Sequence, residues 1–149
     1  MISRHFTKML LPLIVVLAVT VIVCNNSPKT AKVDNMTQDC IFEIVGQNSK
    51  IIKAEIEGSQ FKLYNQVFAS NDYSGNGYCW ADHIVQILEK VNPDLLGKIN
   101  FDPEAGSFYM IANSISVKDE FLKVLCPIFM NTKELDNYLK SADRVRIDD

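Results

Sequence analysis

The pattern of apolar positions between residues 40 and 141 changes period several times. Residues 51–57 (IIKAEIE) alternate: Ile52, Ala54 and Ile56 point one way, and Lys53, Glu55 and Glu57 the other. That is the signature of a half-buried strand. The run 41–46 (IFEIVG) reads as a strand ending at Gly46. After the Gly58-Ser59 turn, 61–68 (FKLYNQVF) alternates again, with Phe61, Leu63 and Val67 on one face. These three segments predict a meander. The turn-rich stretch 71–77 (NDYSGNG) gives way to a helix over 78–91, where Trp80, Ile84, Ile87, Leu88 and Val91 form an apolar stripe. Asp82, His83, Gln86, Glu89 and Lys90 form its expected wet face, and Asn92-Pro93 ends it.

Segments 98–101 and 107–113 predict two further strands, joined as a hairpin across Asp102-Pro103-Glu104-Ala105-Gly106. The run FYMIA (108–112) is apolar on both faces, as expected of a central strand. Ser116 is positioned to cap the next helix, which buries Phe121, Leu125 and Ile128 and is expected to kink or end near Cys126, ahead of Pro127. Asn131 caps a last helix, 132–141, with Leu135, Tyr138 and Leu139 inward. The tail DRVRIDD reads as charged and loose, and no internal repeat is visible. The order β-β-β-α-β-β-α-α predicts a single α+β domain over 39–149, with an antiparallel sheet of about five strands and the helices packed on one face.

The N-terminus follows other rules. Residues 1–8 are basic, and 9–23 (MLLPLIVVLAVTVIV) form an uncharged run of fifteen residues with no polar face. This reads as a signal peptide, a lipoprotein signal or a membrane anchor. Cys24 is the lipidation candidate, although Val23 is larger than the small residue usual before a lipidated Cys. An uncleaved anchor and ordinary cleavage remain open alternatives; the run is short for a span. Arg4 and Lys8 favour an extracytoplasmic domain tethered at the cell envelope, and 25–38 reads as a flexible linker.

The 149 residues are 48% hydrophobic and 22% charged, which is ordinary for a globular chain. Charge is uneven. Residues 1–24 carry +2, whereas 25–149 carry 13 Lys/Arg against 18 Asp/Glu, a net −5. A domain this acidic argues against nucleic acid as a partner.

Candidate chemistry is sparse. His83 is the one histidine of the domain, four residues from Cys79, so a Cys–His nucleophile pair is conceivable. A small Cys beside a solvated His is the plainer reading. A metal site needs more ligands than this, and no phosphate-binding, nucleophile-elbow or dinucleotide motif occurs. No catalytic residue, metal or cofactor is therefore expected. Cys40, Cys79 and Cys126 permit a disulfide in an exported domain, but their spacing selects no pair, and free thiols are equally compatible.

Two motifs go further: Gly75-Asn76-Gly77-Tyr78 followed by Trp80, and Ile99-Asn100-Phe101-Asp102-Pro103-Glu104-Ala105-Gly106 followed by Phe108. At this separation, with the helix between them, the chain resembles the immunity protein 51 family of bacterial polymorphic-toxin systems over about 41–141. The resemblance implies a non-catalytic inhibitor that binds a cognate protein toxin, which in such systems is expected to be encoded nearby. Of the motif residues, Tyr78, Trp80, Asp102 and Glu104 are the candidates for partner contact, although scaffold roles suit them better. An envelope lipoprotein that binds another ligand, such as an inhibitor of a cell-wall hydrolase, is the alternative with the same features.

Overall fold

The computed structural model describes residues 40–149. The apolar run 9–23, Cys24 and the linker 25–38 lie outside the described residues. Four strands form one antiparallel sheet: β1 (Glu43–Ile44), β2 (Ile51–Ala54), β3 (Ile99–Phe101) and β4 (Phe108–Ala112), in the spatial order β1-β2-β4-β3. Four α-helices accompany them: α1 (Lys62–Ala69), α2 (Gly77–Val91), α3 (Ile115–Met130) and α4 (Thr132–Lys140). The fold is α+β, as expected, but the order is ββαα twice over rather than a three-stranded meander followed by a helix. Each half is a hairpin and a helix pair, and the two hairpins meet through the antiparallel β2–β4 pairing.

The expected third strand is the main correction. Residues 59–61 form a 3-10 turn and 62–69 are helical. Phe61, Tyr64 and Phe68 recur at three and four residues and are buried, whereas Leu63 is 54% exposed. Eight residues satisfied both periods, and the helical one is the one that reaches the core.

Further differences are local. The cap of α3 is Ser114, whose Oγ accepts from the Val117 N–H at 3.3 Å, not Ser116. Pro127 does not end the helix, which runs on to Met130. Pro127 and Lys123 both lie on the exposed side, so the Lys123 carbonyl left without an amide partner faces solvent. Val91 is exposed rather than part of the α2 stripe. The tail is not loose either. Arg146 pairs with Glu89 through both guanidinium nitrogens (2.6 and 2.9 Å), and Arg144 donates to the carbonyls of Asn71 and Asp72 (3.1 and 2.6 Å). Gln86 exchanges two hydrogen bonds with the Asp143 backbone (3.1 and 2.7 Å). This strap covers His83 and Gln86, so both are buried although their positions on α2 suggested a wet face.

All the helices lie on one side of the sheet, against Ile52, Ala54, Phe108, Met110 and Ala112, each at most 1% exposed. The opposite side is open. Cross-strand register places Glu43, Lys53, Tyr109 and Asp102 in one row of that side, and Val45, Ile51, Ile111 and Asn100 in the next. FYMIA is indeed internal to the sheet, yet only its Phe108, Met110 and Ala112 face is buried. Among the described residues no helix is long and apolar enough to cross a membrane.

A disulfide joins Cys40 to Cys126, and Cys79 is a buried free thiol. The bond ties the chain just before β1 to α3 across a sequence separation of 86. By loop-closure entropy, such a cross-link destabilises the unfolded chain by about 4–5 kcal/mol. Reduction, or the double change Cys40→Ser and Cys126→Ser, should lower unfolding stability by about 3–5 kcal/mol. Urea melts with and without reductant measure this; Cys79→Ser should leave the reductant effect in place.

Candidate functional site

The two motifs that carry the sequence resemblance meet in space. Asn76 caps α2, its Oδ1 accepting from the Cys79 N–H at 2.8 Å. The next residue, Gly77, lies directly on the β3–β4 hairpin, its N–H donating to the Ala105 carbonyl at 3.2 Å. A β-carbon at Gly77 would overlap the carbonyl oxygens of Glu104 and Ser107, so only glycine permits this approach. The hairpin is itself closed by paired backbone bonds between Glu104 and Ser107, and Gly106 accepts from the Ile56 N–H at 3.0 Å. The junction therefore joins the start of α2, the hairpin turn and the end of β2.

Three of the four candidate contact residues surround this junction at the surface. Tyr78 is 42% exposed in the first turn of α2. Asp102 and Glu104 are exposed on the hairpin. Glu104 accepts a bond from Ser107 Oγ at 3.3 Å, whereas the Asp102 carboxylate has no partner among the described residues. Trp80 is separated from them. It is wholly buried, stacked on Phe68 with ring centroids 5.3 Å apart, and ringed by Phe61, Tyr64, Phe129 and Phe42. Its indole N–H has no hydrogen-bond partner, so packing alone holds it.

Cys79 and His83 are both buried. Burial pushes the Cys79 thiol up to about 12 and lowers His83 to about 4. The imidazole lies edge-on to Tyr73 and Phe68, at 4.4 and 5.4 Å between centroids, with Nε2 unpartnered. A protonated thiol beside a buried neutral imidazole is the reverse of an activated nucleophile. A cleft of about 360 Å³ lies between the 70–73 loop and Arg144. Its cations are already engaged: Arg144 by the two loop carbonyls and Lys140 by Asp136.

The immunity protein 51 family matches the chain over residues 42–144. The chain belongs to this family. The match covers β1 through the start of the C-terminal strap, and so includes both motifs and their junction. Family membership makes it an immunity protein and a toxin its partner. No curated protein and no solved structure matches the chain.

The residues that the sequence did not single out are those of the open sheet face. Val45 and Ile111 are 41% and 38% exposed there, and Lys53 lies 5.3 Å over the Tyr109 ring. Their signal is the pair of apolar residues at the outward positions of β4, Tyr109 opposite Lys53 and Ile111 opposite Ile51.

Two outcomes follow from these placements. Trp80→Ala should cost about 3–5 kcal/mol, as large-to-small changes of buried aromatics do, whereas Tyr78→Ala should change unfolding stability by less than about 0.5 kcal/mol; denaturant titration of both variants compares them. His83 is held neutral by the fold, so between its folded value of about 4 and its unfolded value near 6.5 the unfolded chain binds the extra proton. This contribution is fully present above pH 6.5 and is lost as pH falls towards 4, by roughly 2–3 kcal/mol. Urea midpoints taken across that range should fall less steeply for His83→Phe than for the native chain.

Proposed function

We propose that this immunity protein neutralises a cognate toxin by stoichiometric binding on the outer side of a bacterial inner membrane. Family membership carries the toxin as partner, and the Cys40–Cys126 disulfide supports the compartment. Structural disulfides persist in oxidising spaces and are rare in reducing cytosol. A bond closing so long a loop in the domain agrees with the basic N-terminus and the apolar run 9–23 as an export signal or anchor. The reading needs no catalysis: the buried thiol and imidazole belong to the core. The toxin is then one that attacks the wall or membrane, or one intercepted on entry. The net −5 of residues 25–149 favours a basic toxin, whose approach long-range attraction would accelerate.

Cells that produce the full chain should survive the toxin encoded beside its gene. Removing residues 1–24 should abolish survival, and replacing them with an unrelated cleavable export signal should restore it. A reporter that is active only outside the cytoplasm, fused after Asp149, should be active with the full chain. Full protection by the truncated, cytoplasmic chain would refute the compartment, and failure of the purified full chain to bind the toxin would refute the binding.

A further inference from the structure

We propose that the toxin docks on the open face of the sheet, through a basic surface with an apolar centre; this rests on the toxin-binding reading above. The face has a core and a rim of the kind protein interfaces use. Its centre is the apolar row Val45–Ile51–Ile111, continued by the Tyr109 ring in the adjacent row. Such a row at solvent is unusual for an outward sheet face, which in a free-standing protein is expected to be polar. Aromatic and aliphatic residues ringed by polar ones mark the centre of an interface.

The rim selects the partner's charge. Glu43 and Asp102 end the Tyr109 row at opposite edges of the sheet, and Glu55 continues the same face towards the hairpin end. The cation within this group, Lys53, is paired with Glu55 and lies over Tyr109. Asp102, a residue of the family motif, has no partner among the described residues and sits directly across from Tyr109. A partner carrying Lys or Arg opposite Asp102 and Glu43 would complete these charges without stranding one.

Area sets the extent. Four strands about 4.8 Å apart and two to five residues long give a planar face of roughly 220 Å². A stable interface covers about 800 Å² of each partner. The footprint must therefore run past the sheet. At the acidic end the hairpin turn continues it with exposed Glu104, and Gly77, against the Glu104 and Ser107 carbonyls, brings the first turn of α2 with Tyr78 to that same end. The exposed apolar residues off this face, Ile44, Leu63, Val91, Ile115, Met130 and Val145, are distributed over β1, α1, α2, the two ends of α3 and the strap.

The test titrates the full chain with the purified toxin encoded beside its gene. Ile111→Lys and Asp102→Lys replace exposed side chains on the face; Leu63→Lys and Val145→Lys are the helix-side comparisons. The face variants should each bind at least about 30-fold more weakly at unchanged melting temperature, and the comparison variants within about threefold of the native chain. Asp102→Lys should also flatten the salt dependence of the association rate. In the native chain, toxin should shield Lys53 and Tyr109 from chemical labelling, a readout that needs no variant to fold. Native-like binding by both face variants, or labelling of Lys53 and Tyr109 undiminished by bound toxin, would overturn the docking face while leaving toxin binding intact. A native dimer in sedimentation that Ile111→Lys dissociates would assign the face to a second copy and overturn it as well. A native chain that binds no toxin would instead overturn the reading on which the proposal rests.

Discussion

The packing of rings around Trp80 organises the domain. Phe42 comes from the segment before β1, Phe61 from the 3-10 turn, Tyr64 and Phe68 from α1, and Phe129 from α3. Phe42 also meets Phe108 of β4 and Phe121 of α3. Segments distant in the chain thus converge on one indole that makes no hydrogen bond. Offset and edge-on contacts between rings add to the area they bury, and their geometry fixes how α1, α2 and α3 sit over the sheet. Polar bonds then settle the margins: the strap closes over α2, and the hairpin turn closes over Gly77.

This division of labour explains why the family motifs are poor guides to the surface. Gly77 is needed for the close approach of α2 to the hairpin, Trp80 for the core, and Phe108 for the layer between sheet and helices. Their spacing records a three-way junction of backbone and rings. What that junction leaves outside, Tyr78, Asp102 and Glu104, is placed at one end of the sheet by the scaffold.

Much of the fold was legible because long periodic segments carry their own signal. The helix at 77–91 and the hairpin at 99–112 followed from stripe spacing and turn residues. The segment 61–68 misled because eight residues fit two periods, and which one wins depends on the Trp80 rings that Phe61, Tyr64 and Phe68 must meet. His83 and Gln86 were misplaced for a different reason. Their cover is a charged tail held by backbone carbonyls, the Gln86 amide and the Glu89 carboxylate, interactions with no periodicity to read. The disulfide was beyond spacing too, since three cysteines allow three pairs and only the packing of the Phe42 segment against α3 brings Cys40 to Cys126. In the sequence the open face shows only as apolar residues at the outward positions of β4, a pattern that buried and docking faces share.

The disulfide also decides how the molecule bears mechanical load. A pull arriving along the chain from the N-terminal side enters at Cys40 and passes through the bond into α3 at Cys126. The sheet, α1, α2 and most of α3 lie inside the covalent loop and carry none of that tension in series. If the other end is held, only the end of α3, α4 and the strap can be drawn out. Tension applied between the two ends of the domain would therefore leave the sheet folded while its C-terminal segment is drawn out.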